Sequence, residues 1–253
     1  MRSLAFFDER YPVRTVFTDN GDLSVFAGLL TEDAVKSPLQ DYLRTPLRSV
    51  MIADERHSAN VLAVSGQAGK RRRMTEYNGG ANSDGGYDAL VTDEPGILLC
   101  VRTADCLPLF LYDTEKHVAA IAHCGRIGVC GGIVSRTVGV MTARFGAAPA
   151  HLVAAFGPGI CAGCYEVGGE VIAAFSERFP RRELKELFRA KQNGKYLLDL
   201  GRAAAFELMR AGVPAENIRG VEVCSYESEN YPSYRRGGKT DFDRQTLSGI
   251  VLL

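Results

Sequence analysis

Ile97-Leu98-Leu99-Cys100-Val101, then Leu107-Pro108-Leu109-Phe110-Leu111-Tyr112, then His117-Val118-Ala119-Ala120-Ile121-Ala122-His123 follow one another with short breaks. Each run is apolar, rich in Val, Ile or Leu, and of strand length. Working outward, Arg14 to Thr18, Ser49 to Ala53 and His151 to Phe156 have the same character. Helical patterns follow. From Val129 to Phe145 the residues Ile133, Val134, Val138 and Met141 recur at three- and four-residue steps, an apolar stripe that fits against a sheet. Leu200, Ala204 and Leu208 do the same across Asp199 to Ala211, and Gly212 followed by Pro214 is a stop signal. A further helix is expected from Val167 to Phe179, and late strands at Val221 to Cys224 and Ile250 to Leu253. Interleaved strands and helices make one α/β domain over residues 1–253, with residues 66–86 as a glycine-rich surface loop.

The 253 residues are 46% hydrophobic and 24% charged, enough to bury one large core. Thirty basic and thirty acidic side chains cancel, which removes the long-range attraction that a nucleic-acid or anionic-membrane binder uses. The basic run Lys70-Arg71-Arg72-Arg73 lies among glycines and reads as a solvated loop. No run approaches the ~20 apolar residues of a membrane span. The start, Met1-Arg2-Ser3-Leu4-Ala5-Phe6-Phe7-Asp8-Glu9, meets two acids too soon for a secretory signal, so a cytoplasmic protein is expected. Seven cysteines, an odd number, then read as free thiols serving as core, ligands or nucleophiles.

Histidine is scarce, at four per chain. His117 and His151 read as polar strand starts. His123 ends a strand and precedes the turn Cys124-Gly125-Arg126-Ile127-Gly128 into a helix, where α/β proteins place ligands. Cys106 in Thr103-Ala104-Asp105-Cys106 and His57 after Ser49 to Ala53 have similar placements. One thiolate and two imidazoles suit Zn²⁺ or copper and leave a coordination position open. The same positions also fit Cys106 as core with His57 as a satisfied polar residue, or Cys106 as a nucleophile with a histidine base. Asp105 could orient a ligand or shuttle a proton, or point the other way along its strand.

Two further segments stay open. Gly157-Pro158-Gly159-Ile160-Cys161-Ala162-Gly163-Cys164-Tyr165-Glu166 offers amides for an anion at a helix start, a Cys-x-x-Cys redox motif, or a tight turn. Arg235 and Arg236, beside Tyr231 and Tyr234, could fork onto phosphate and stack on a ring, or form a solvated turn.

Asp88-Ala89-Leu90-Val91-Thr92 with Pro95-Gly96, Thr103 to Pro108, Gly157-Pro158 through Cys164-Tyr165-Glu166-Val167-Gly168, and Ser233-Tyr234-Arg235-Arg236 together resemble the YfiH-like family. This is also called the laccase-domain or multicopper polyphenol oxidase family. The resemblance implies a four-layer α/β/β/α sandwich with mixed sheets and a metal site at His57, Cys106 and His123. It implies zinc, copper being less favoured, and phosphorolysis of adenosine, inosine and 5′-methylthioadenosine with adenosine deamination as a second activity. On it, Cys106, Asp105 and His123 are the catalytic candidates. Gly157, Cys161, Tyr165 and Arg235 are candidates to bind the nucleoside and phosphate. The chain departs from the family's His-Ala-Gly-Trp-Arg-Gly, with Arg126 and Ile127 at the tryptophan and arginine positions, and Thr18 to Ser24 lacks the arginine that relatives carry. Those departures keep a non-catalytic nucleoside-binding homologue among the alternatives. A copper polyphenol oxidase and a metal-free Cys-His hydrolase complete them, although four histidines are too few for the usual multicopper cluster.

Overall fold

The alternation of side chains along a strand places successive residues on opposite faces, and here both faces are covered. The structure, a computed structural model, describes residues 1–25, 31–65, 73–77, 85–242 and 244–253. Its strands are β1 (Val13–Phe17), β2 (Ser49–Ile52), β3 (Val61–Ser65), β4 (Arg73–Tyr77), β5 (Ala89–Thr92), β6 (Ile97–Thr103) and β7 (Leu107–Asp113). They continue with β8 (Val118–Cys124), β9 (Leu152–Phe156), β10 (Glu166–Val167), β11 (Phe188–Ala190), β12 (Tyr196–Leu198), β13 (Ile218–Arg219) and β14 (Thr246–Leu252). One mixed sheet has the order β1-β14-β6-β2, a larger one β13-β9-β7-β8-β5-β3-β4, and a small one β10-β12-β11.

Three buried clusters separate four layers. Along β7, Leu109 and Leu111 face Val134, Val138 and Leu208 of the helices Ile133–Phe145 and Leu200–Arg210. Phe110 and Tyr112 point the other way, into a core shared with Leu99, Val101 and Ile250 of the smaller mixed sheet. That sheet's far face, through Leu98, Cys100 and Val251, packs on Val35, Leu39 and Leu43 of the helix Glu32–Leu43. The order is therefore helix, sheet, sheet, helix, and the continuous apolar runs are strands buried on both sides. No helix among the described residues is long and apolar enough to cross a membrane.

Several expectations need correction. The stripe from Val129 to Phe145 is two helices, Arg126–Gly131 and Ile133–Phe145, broken at Gly132, whose φ of 85° is left-handed. The helix expected from Val167 begins at Gly169, because Glu166 and Val167 pair with Leu197 and Tyr196 instead. No strand spans Val221 to Cys224; the parallel partner of β9 is β13, and Cys224 makes only an isolated bridge to Gly159 before the chain turns. Within residues 66–86, β4 pairs antiparallel with β3, so the segment is not loop throughout. Residues 66–72, with most of the basic run, and residues 78–84 lie outside the described residues.

Candidate metal centre

Strand pairing assembles the site. In the β7–β8 register Leu107 pairs with Cys124 and Pro108 with His123, so Cys106, one residue before β7, falls beside His123 and Gly125. In the β5–β8 register Ala89 pairs with Ala122, which brings Asp88 alongside His123, whose N–H donates to the Asp88 carbonyl at 2.6 Å. Asp88 is fully buried, and its carboxylate accepts the N–H groups of Arg56, His57 and Ser58 and the Ser58 hydroxyl, at 2.7 to 3.1 Å. It also meets His123 Nδ1 at 2.8 Å. One carboxylate thus folds the turn carrying His57 and orients the ring of His123, leaving Nε2 of that ring for the site. His57 sits at φ 55° and Asp105 at φ 88°, unfavourable left-handed geometries that such surroundings hold in place.

The donor atoms of His57, Cys106 and His123 all lie within 4.8 Å of one another. Burial pushes the Cys106 thiol up, but His123 and then His57 outweigh it and bring it down to about 6. Burial alone would lower His123; the Cys106 sulfur and Asp88 raise it to about 10. Burial likewise raises the Asp88 carboxyl, yet its bonds with His123 and Ser58 hold it below the ordinary carboxylate value. Sulfur is thus anionic at neutral pH, the form that ligates metal or attacks carbon. A Cβ on Gly125 would come within 3.0 Å of Cys106 Sγ and 3.1 Å of His57 Cδ2, so the absence of a side chain there keeps the space among the donors clear. Donor chemistry, spacing and clearance all fit a divalent metal such as zinc or copper.

A cavity of about 870 Å³ opens on these three residues, with Asp105, Tyr165, Tyr234, Arg235 and Lys239 among its walls. Small-molecule sites run from roughly 300 to 1,000 Å³. Asp105 Oδ1 accepts the Ser225 hydroxyl and Oδ2 accepts the Arg235 N–H, both at 2.7 Å. The Arg235 guanidinium lies 5.3 Å over the Tyr165 ring and donates to the Glu166 carbonyl. Arg236 instead donates to the carbonyls of Ser225, Tyr226, Ser228 and Tyr231 and serves as scaffold. Arg126 is not among the cavity's walls, and Ile127 is 50% exposed.

Of the three readings open for the segment after Phe156, an anion cradle finds its first amides already engaged. The Gly157, Gly159 and Ile160 amides donate to the carbonyls of Pro108, Val223 and Asp105, and no helix begins until Gly169. Gly157 and Cys161 do not line the cavity. Cys161 instead gathers with Cys164, Cys224 and Glu227. His117, bonded to the Tyr112 hydroxyl, and His151 also lie outside its walls. Sequence reasoning gave Asp88 no role; its signal was an acid at the head of a wholly buried apolar strand, which must have buried partners.

Residues 33–248 match the profile of a family described as multi-copper polyphenol oxidoreductase laccase. A purine nucleoside phosphorylase of Bacteroides thetaiotaomicron is 35% identical over 172 residues, 66% of this chain and 61% of that protein's length. The adenosine deaminase RL5, from an unknown prokaryotic organism, is 35% identical over 210 residues, 82% of this chain and 77% of that protein. The crystal structure of the hypothetical protein YfiH of Bacillus licheniformis is similar with a TM-score of 0.71 at 27% identity, covering 87% of this chain and 80% of that one.

Proposed function

This chain belongs to the multi-copper polyphenol oxidoreductase laccase family, and on that premise we propose that it is a zinc-dependent purine nucleoside phosphorylase. Its substrates are adenosine, inosine and 5′-methylthioadenosine. The observation that carries this reading is the convergence of His57, Cys106 and His123 on a cavity of nucleoside size with Arg235 on its wall. The similarity to a protein named purine nucleoside phosphorylase supports the reaction class. Seven free thiols support a reducing compartment, the cytoplasm.

His57, Cys106 and His123 would hold the zinc ion, which supplies Lewis acidity when bound. Asp88 keeps His123 in the tautomer that presents Nε2. Arg235 and Lys239 bring positive charge to the cavity and draw phosphate into it. Arg56 and Arg102 line the same cavity but are paired with Asp54 and Glu55. Tyr165, with the Arg235 guanidinium over its ring, offers an aromatic wall to the purine. A phosphate oxygen then bonds to the ribose C1′ as the C1′–N9 bond breaks and the base departs with the bonding pair. Asp105 acts as a positioning residue, since both its oxygens hold the segment that carries Ser225 and Arg235.

Adenosine deamination is a second reading, favoured by the similarity to RL5. The test supplies zinc-loaded protein with adenosine, inosine or 5′-methylthioadenosine, with and without phosphate. Free base and a pentose 1-phosphate appearing only with phosphate are expected. Inosine formed from adenosine without phosphate marks deamination. Nucleoside bound but never converted contradicts both readings and leaves a binding protein.

A further inference from the structure

Outside the cavity, two short segments each present a pair of metal-ligating side chains at the same spacing, Cys161-x-x-Cys164 and Cys224-x-x-Glu227. Both spacers are turns: the Cys164 N–H donates to the Cys161 carbonyl at 3.0 Å and the Ser228 N–H to the Cys224 carbonyl at 3.0 Å. The segments are tied by the Gly159 N–H on Val223 O and the Ser225 N–H on Gly159 O. As a result the four donor atoms lie within 4.8 Å of one another, with the three cysteines half-buried and in the free thiol form.

We propose that Cys161, Cys164, Cys224 and Glu227 form a second, structural zinc site. With zinc–sulfur bonds of about 2.3 Å, the edges of a tetrahedral site are ~3.8 Å, so the four donors need only close slightly on an ion. Thiolate sulfur accepts N–H bonds, and one already ties the two segments: the Cys161 N–H donates to Cys224 Sγ at 3.4 Å. The Cys164 thiol donates to Glu227 Oε1 at 3.4 Å, so loss of that one proton leaves two anionic donors side by side for a cation. Four protein donors close the coordination sphere, the mark of a structural rather than a catalytic ion. The ion would clasp the turn after β9 to the segment whose next residue, Ser225, bonds Asp105 and whose later residue, Arg235, faces the cavity. It would steady the wall of the first site without touching substrate.

The experiment uses the full chain, stripped by chelator under reductant, reloaded with zinc, and read by native mass spectrometry and by mapping of thiol alkylation. Two zinc ions per chain are expected, with alkylation of Cys161, Cys164 and Cys224 at least about tenfold slower once zinc is bound. Cys106→Ala should keep one ion and the protected trio. Cys161→Ser combined with Cys224→Ser should keep one ion and a protected Cys106. Wild-type protein that binds one zinc and loses it in Cys106→Ala overturns the proposal, as does a trio equally reactive with and without zinc or isolated as a Cys161–Cys164 disulfide. Protection of the trio with Cys106 unprotected would instead leave this site standing and sink the first one, so the two failures are distinguishable. Because alkylation is mapped on wild-type protein, the outcome does not depend on any variant folding.

Discussion

Asp88 shows what a single buried carboxylate does here: five hydrogen bonds to its oxygens join the turn at His57 to the ring of His123. Replacing it by asparagine removes the charge that orients His123, so Asp88→Asn should weaken zinc binding about 10- to 100-fold in a competition titration. Unchanged affinity would show that the carboxylate serves the turn alone. The Cys106 thiol, drawn down to about 6 by two imidazoles, is reactive below the range of an ordinary cysteine near 8.5. In zinc-stripped protein its alkylation rate should rise with pH through a midpoint of about 6 rather than about 8.5, and a midpoint at the ordinary value contradicts the geometry. His57 and His123, two of four histidines, stood out near strand ends, but their grouping with Cys106 as a metal site came from the resemblance to the YfiH-like family, not from position alone. Asp88 was not legible, because its partners come from residues 56–58 and 123, and one sequence does not show which strands pair.

At the scale of elements, the break at Gly132 separates the short helix that opens beside the site from the longer one that packs on the sheet. A Cβ there would adopt φ 85° and meet Arg178 Nη2 at 2.5 Å, while Arg178 is engaged with Glu207 and Ser135. Gly132→Ala should therefore cost roughly 1–3 kcal/mol in urea unfolding; a loss below about 0.5 kcal/mol would mean that the break is incidental. Apolar periodicity ran through this glycine undisturbed, which is why the sequence read as one helix. The strand β4 was hidden for a related reason: five residues inside a basic, glycine-rich segment offer almost no periodic signal, and their partner β3 supplies the pairing. Likewise Gly157 to Gly163 offered a cradle for an anion as one reading, whereas the Gly157, Gly159 and Ile160 amides are committed to carbonyls, and the Cys161 amide to a sulfur, that only the fold brings near.

Across the whole molecule, four layers and three cores rest on two mixed sheets, and the site lies where the β6–β7 connection, the end of β8 and the turn before β3 meet. The continuous apolar character of β6, β7 and β8, buried on both faces, made the α/β class readable from three runs; strand order and the antiparallel returns were not, since they depend on contacts between distant segments. One thiolate and two imidazoles act as a unit in the proposed reaction. The most direct measurement is phosphate-dependent release of base from inosine by chelator-stripped protein, before and after zinc is restored, in wild type and in Cys106→Ala. Activity should vanish on stripping, return with zinc in the wild type, and stay absent in the variant; turnover by Cys106→Ala at the wild-type rate would contradict it.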